Sequence, residues 1–200
     1  MDTIDLAPAT RTLALLASTT RDDQLGDPTP CPAYTVADLL AHVVGLTRAF
    51  TDAATKASTG GVEPGESPGL AIGWRDQLAA DLDALAQAWT DPAAYDGMTW
   101  AGPVEVPGPV AALIAIDEVV VHGWDLAVAT GRTYPADPLS VQRCAEFVAS
   151  FEPPEGGPAD DGGLFGPPVE VGASTSDLDR LIGLTGRDPQ WSPRRSSSAT

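Results

Sequence analysis

Apolar residues recur three and four positions apart through most of this chain, and Gly- and Pro-rich stretches interrupt them. That spacing puts them on one face of a 3.6-residue helix, so the pattern predicts an all-α fold of helices joined by breaks. A first helix runs from about Pro8 to Ser18, with Pro8 suited to the first helical position and Leu13, Leu15 and Leu16 supplying apolar surface. After Cys31-Pro32, Thr35 and Asp38 form a capping box, with Tyr34 and Leu39 at the two hydrophobic-staple positions. The second helix that starts there carries Val36, Leu39, Leu40, Val43, Val44 and Leu46, with His42 among them. A polar linker over about 58–69 leads to a third helix from about Leu70 to Trp89.

The fourth helix begins at Gly108-Pro109 and ends at Gly131, which suits a left-handed C-cap. Its body is apolar enough to resemble a membrane span, but Asp117, Glu118, His122 and Asp125 interrupt it. Ionisable groups are expensive at a bilayer centre, so the segment reads as a central bundle helix with its polar groups turned inward. Asp137-Pro138 starts a fifth helix to about Phe151, a Gly/Pro loop covers 153–168, and Ser174 with Asp177 caps a short last helix ending near Gly186. The Val-Glu-Val runs at Val104–Val106 and Val169–Val171 alternate like strands but are too brief to define a sheet, which leaves room for a minor β element at most. One domain over residues 1–191 is expected, followed by a Ser/Arg-rich disordered tail over 192–200.

Charge narrows the partners. The chain has 28 acidic against 11 basic residues, a net charge of −17, which opposes phosphate backbones and anionic membrane surfaces. Neither nucleic acid nor a membrane is an expected partner. Two cysteines are too few for a disulfide framework, and Met1-Asp2-Thr3-Ile4-Asp5 has no signal-peptide pattern, so the expectation is a cytoplasmic protein with reduced thiols.

The only two histidines carry the candidate chemistry. Glu118 and His122 are one turn apart, about 400° of rotation, and point the same way along the fourth helix. His42 brought across from a facing helix would complete a His/Glu/His set, the three protein ligands that catalytic zinc uses while keeping a position open. Burying Glu118 as a free carboxylate costs several kcal/mol unless a positive group compensates it. Spacing alone leaves three candidates: a divalent metal, an arginine such as Arg11 or Arg48, or a hydrogen bond to His122. Asp125 shares the stripe and could orient His122 through its other ring nitrogen or act as a fourth ligand. Asp38 is explained by its capping role, and Cys31 and Cys144 read as structural. The tryptophans read as core residues, with Trp124 a candidate pocket-lining residue beside the site.

These residues also carry a resemblance. Thr29-Pro30-Cys31, Tyr34-Thr35-Val36, Asp38-Leu39-Leu40 and His42 resemble the opening motif of the mycothiol-dependent maleylpyruvate isomerase-like family, a branch of the DinB-like metal-binding bundles. Asp117-Glu118 through His122-Gly123-Trp124-Asp125-Leu126-Ala127 to Gly131 is a closer match, and Asp179-Arg180-Leu181 with Gly186-Arg187-Asp188-Pro189 and Trp191 resembles the family's C-terminal signature. Tyr34 stands where the family more often has Trp. The resemblance implies a DinB-like four-helix bundle with short extra C-terminal helices, and a divalent metal, usually zinc, on His42, Glu118 and His122. It also implies a thiol transferase or isomerase that uses mycothiol, an actinobacterial thiol, on a small electrophile, as a monomer or homodimer. A metal-dependent hydrolase and a non-catalytic metal-binding bundle are the alternatives.

Overall fold

The computed structural model describes residues 3–57, 69–150, 165–172 and 175–193. Four helices form the bundle: α1 (Ala7–Ser18), α2 (Val36–Thr55), α3 (Trp74–Ala88) and α4 (Gly108–Ala129). Two shorter helices follow, α5 (Pro138–Ala149) on α4 and α6 (Asp177–Leu184) on α5. The expected all-α architecture with C-terminal additions is what is found. The linker over 58–68, residues 153–164 of the expected 153–168 loop, Phe151 and the tail from residue 194 lie outside the described residues.

Helix α4 is the axis of the fold. It packs against α1, α2 and α5, and most of its 22 residues are buried, Asp117, His122 and Asp125 among them. A helix apolar nearly all round has no solvent face to give up, so it occupies the centre. One apolar cluster runs from Leu6 through Leu39, Leu85, Ile116 and Leu126 to Leu181 and Ile182. Among the described residues, no helix is long and apolar enough to cross a membrane.

Local chemistry sets the helix ends. The α2 capping box forms as expected: Asp38 N–H donates to Thr35 Oγ1 at 3.3 Å, and Thr35 N–H donates to Asp38 Oδ2 at 3.0 Å. Gly131 and Gly186, with φ of 71° and 82°, close α4 and α6. In each case the glycine N–H and the next N–H turn back to carbonyls of the last helical turn, from Gly131 and Arg132 to Val128 and Ala127, and from Gly186 and Arg187 to Gly183 and Ile182. This is the Schellman arrangement, and it fixes where Arg132 and Arg187 point. Arg132 donates to the Leu16 and Thr19 carbonyls at the end of α1.

Several expectations shift. The third helix starts at Trp74, not Leu70, because Gly73 takes a left-handed φ of 78° that a right-handed helix cannot contain. Leu15 faces solvent while Leu13 and Leu16 face the core. The last helix is capped by Ser176 on Asp179, two residues later than Ser174 and Asp177. Thr175 N–H is already bonded to the Gly172 carbonyl in the preceding turn, and Ser174 lies outside the described residues. Val104–Val106 does join a sheet, since β2 (Val104–Pro107) pairs antiparallel with β1 (Met98–Ala101) across the Gly102-Pro103 turn. The hairpin lies against α2 and α4, where Thr99 Oγ1 donates to the Ala53 carbonyl at 2.7 Å. Val169–Val171 forms no strand; Val169 N–H donates instead to the Gly183 carbonyl at the end of α6.

Gly186 and Gly131 share a backbone conformation but differ in surroundings. A Cβ at Gly186 would lie 2.9 Å from Gly166 backbone atoms, whereas one at Gly131 would meet nothing within 4 Å. Gly131→Ala should therefore cost only the left-handed backbone penalty, about 1–2 kcal/mol. Gly186→Ala should cost more, and urea midpoints of the two variants read the difference; equal costs would show that the contact with Gly166 is dispensable.

Candidate metal centre

The site begins with the phase of α4. Asp117 and Val121 form one row along the helix and Glu118, His122 and Asp125 the next, so these five positions share a sector. Because α2 packs on α4, His42 comes to face that sector. His122 Nε2 lies 3.0 Å from Glu118 Oε2, and His42 Nε2 lies 3.8 Å from the same oxygen. The two imidazole rings meet edge to face, with centroids 5.0 Å apart, and Tyr34 leans on His42 from the other side at 5.4 Å.

One potential ligand atom from each of His42, Glu118 and His122 lies within 4.8 Å of the others, so this group could hold a metal ion. The donor chemistry fits a divalent cation of intermediate softness: two imidazole nitrogens and one carboxylate oxygen. Asp125 completes the fit. Its Oδ2 accepts from His122 Nδ1 at 3.0 Å, which in the neutral ring leaves the Nε2 lone pair directed toward Glu118 and His42. Asp125 has no exposed surface, and its own charge is met by Arg187, whose Nε lies 2.9 Å from Oδ1 and 3.1 Å from Oδ2. Arg187 is held in turn by the Thr185 carbonyl at 3.2 Å.

The electrostatics follow from burial and pairing. Burial alone would raise the Glu118 carboxyl, but hydrogen bonds from His122 and His42 outweigh it and hold the group well below the usual carboxylate range. Burial opposes protonation of His122, yet the carboxylates of Asp125 and Glu118 raise its pKa to about 9. His122 Nε2 and Glu118 Oε2, 3.0 Å apart, favour a proton between them, and a divalent cation would compete with it. Asp117 behaves differently. Burial and the adjacent Glu118 charge push its carboxyl up to about 8, against the pull of Arg187 and His122.

A cavity of about 190 Å³ opens over the triad, walled by Cys31, Tyr34, Val121, Phe165, Asp117 and Arg187. Cys31 is half-buried in this wall, and burial keeps its thiol pKa raised, so it is no activated nucleophile. Trp124 does not line the cavity: two residues beyond His122, it points to the other side of α4 and packs in the core. The arginines considered as partners of Glu118 are elsewhere, since Arg48 pairs with Asp81 at 2.9 Å and Arg11 is exposed. A larger cavity of about 400 Å³, between Ile4, Tyr95, Pro109, Leu113 and Phe147, holds only the surface pair Arg143–Glu146 as charged lining. Volume does not locate the chemistry in this protein.

Two site residues escape the sequence reading. Arg187 belongs to the C-terminal stretch already noted, and a buried Asp125 in a helix without Lys or Arg was the signal that a distant cation had to reach it. Asp117 gave only the weaker signal of a second carboxyl beside Glu118.

Comparison with known proteins places the chain in a family. Two uncharacterized proteins of Mycobacterium tuberculosis, from strains CDC 1551 / Oshkosh and ATCC 25618 / H37Rv, are each 39% identical over 150 residues, covering 72% of this chain and 76% of theirs. The crystal structure of the mycothiol-dependent maleylpyruvate isomerase superposes with a TM-score of 0.56 at 19% identity, over 72% of this chain and 66% of that one. That likeness establishes a shared fold, over just under two thirds of the isomerase's length. Residues 6–127, which include His42, Glu118, His122 and Asp125, match the mycothiol maleylpyruvate isomerase N-terminal domain, and the chain belongs to that family.

Proposed function

We propose that His42, Glu118 and His122 hold a divalent cation, zinc by donor chemistry, and that the protein is a mycothiol-dependent isomerase or thiol transferase acting on a small electrophile. The observation that carries this reading is the convergence of two imidazoles from separate helices on one carboxylate beneath a cavity. The membership of the chain in the maleylpyruvate isomerase family adds the thiol. A zinc ion held by His42, Glu118 and His122 would supply Lewis acidity that favours the thiolate over the thiol.

The chain's own residues do the rest. Asp125 holds the His122 ring in the tautomer that offers Nε2, and Arg187 holds Asp125 in place through both carboxylate oxygens. Tyr34 and Phe165 narrow the cavity. At about 190 Å³ it falls below the range of roughly 300–1,000 Å³ that takes a drug-sized ligand whole. It suits the reacting end of a thiol and a compact partner, and the net charge of −17 disfavours polyanionic ones. No protein nucleophile is required.

Metal binding should stabilise the fold. At a free zinc concentration about 100 times Kd the gain is about 2.7 kcal/mol, or roughly 5–10 °C in Tm for a chain of this size. Chelation should remove it from wild type and change His42→Ala and His122→Ala little; equal responses in all three proteins would reject the coupling. Arg187→Ala, which leaves Asp125 buried without its cation, should weaken zinc affinity about 10–100-fold in competition with a chelator.

Turnover is tested with zinc-loaded protein, mycothiol supplied or withheld, and a panel of epoxides and unsaturated carbonyl compounds. Thiol-dependent activity should be lost in Glu118→Gln and His42→Ala and largely kept in Cys31→Ser. Metal-dependent turnover that ignores the thiol would assign a hydrolase instead. Zinc binding without turnover on any substrate would assign a binding protein.

A further inference from the structure

Asp117 is the one carboxyl at the site that the triad and its supports do not use. It lines the same cavity, is only 4% exposed, and its Oδ1 has no hydrogen-bond partner among the described residues. This contrasts with every other carboxylate of the sector: Glu118 has two imidazoles, and Asp125 has His122 and Arg187. An orphaned buried carboxyl destabilises a fold, and apolar residues surround it on α4, with Ile116 and Val120 fully packed in the core. Nothing in helix formation or packing calls for an aspartate there. Arg187 and His122 attract it only through space, since their hydrogen bonds go to Asp125, Glu118 and the Thr185 carbonyl, and Cys144 lies in the core. What remains is the cavity.

We propose that Asp117 is a ligand-positioning residue, accepting a hydrogen bond from a hydroxyl or amide N–H of the thiol cosubstrate bound over the His42/Glu118/His122 triad. This rests on the reading of the cavity as a thiol-binding site. The geometry supports a division of labour along α4: the row of Glu118 and His122 faces the reacting end, and the row of Asp117 and Val121 meets the adjoining part of the same molecule. A carboxyl presents an acceptor oxygen in either protonation state, so the contact does not depend on its charge. The ligand thereby fills the hydrogen-bonding capacity that the protein leaves open, and an analogue without the donor would leave it open again.

The proposal predicts opposite effects on stability and binding. In the metal-loaded, ligand-free protein Asp117→Leu should unfold at the same or a higher temperature than wild type, because it removes an uncompensated polar group. Mycothiol binding to the zinc-loaded protein, followed by titration calorimetry, should weaken about tenfold or more in Asp117→Leu. Asp117→Asn, which retains the acceptor carbonyl, should stay close to wild type. Equal affinity of wild type and Asp117→Leu would overturn the proposal while leaving the thiol-dependent reading intact. A marked fall in the Tm of both variants would overturn it as well, by assigning Asp117 a structural bond. Failure of the zinc-loaded wild type to bind mycothiol would overturn both readings together.

Discussion

The fold depends on keeping a row of ionisable side chains inside its most apolar helix. Helix α4 packs against α1, α2 and α5, so the side chains of Asp117, Glu118, His122 and Asp125 lie where water cannot solvate them fully. Removing a carboxylate from water costs several kcal/mol, and the bundle tolerates two of them only because each is met by a cationic or hydrogen-bonding partner. His42 must come from α2, and Arg187 from beyond α6. The relative placement of three separate helices is thereby tied to one charged stripe.

That requirement explains the C-terminal additions. Helix α6 is short, but its end is defined by a Schellman turn at Gly186 that projects Arg187 back onto Asp125. Tight packing of Gly186 against Gly166 fixes the turn further. The chain from Arg187 to Asp125 to His122 Nδ1 then connects the turn after α6 to the imidazole whose other nitrogen faces Glu118. A buried ion pair of this kind contributes little net stability, because its attraction is offset by desolvation. Its value lies in orientation: it determines which nitrogen of His122 is free to bind.

The site is asymmetric in how well its charges are satisfied. Glu118 and Asp125 each have two partners, His122 lies between two carboxylates, and Asp117 Oδ1 has no hydrogen-bond partner among the described residues. Structural demands account for the satisfied groups. Unsatisfied ones tend to be retained for what they bind, which is why the cavity over the triad, though smaller than the one near Tyr95, is the more informative. The fold shared with the maleylpyruvate isomerase does not by itself assign chemistry to this chain, and the donor set and the cavity wall bear that part of the argument.

Helical periodicity, the capping box at Thr35 and Asp38, and the glycines that close α4 and α6 were legible in the sequence because they are local: each depends on residues within a turn or two. The alignment of Glu118 with His122 and Asp125 was legible for the same reason, as a matter of helix phase. Start sites set by competing local signals were not, as the Ser174 and Ser176 alternatives and the delayed start of α3 at Gly73 illustrate. Nor was the hairpin, since Met98–Ala101 becomes a strand only when Val104–Pro107 pairs with it. Trp124 shows that nearness in sequence does not make a pocket wall: two residues along a helix turn a side chain away. What only the tertiary structure decided was which distant groups answer the buried charges: His42 and neither Arg11 nor Arg48 beside Glu118, Arg187 beside Asp125, and no hydrogen-bond partner for Asp117 Oδ1 among the described residues. Those pairings join residues tens of positions apart, and interhelical packing, not local spacing, determines them.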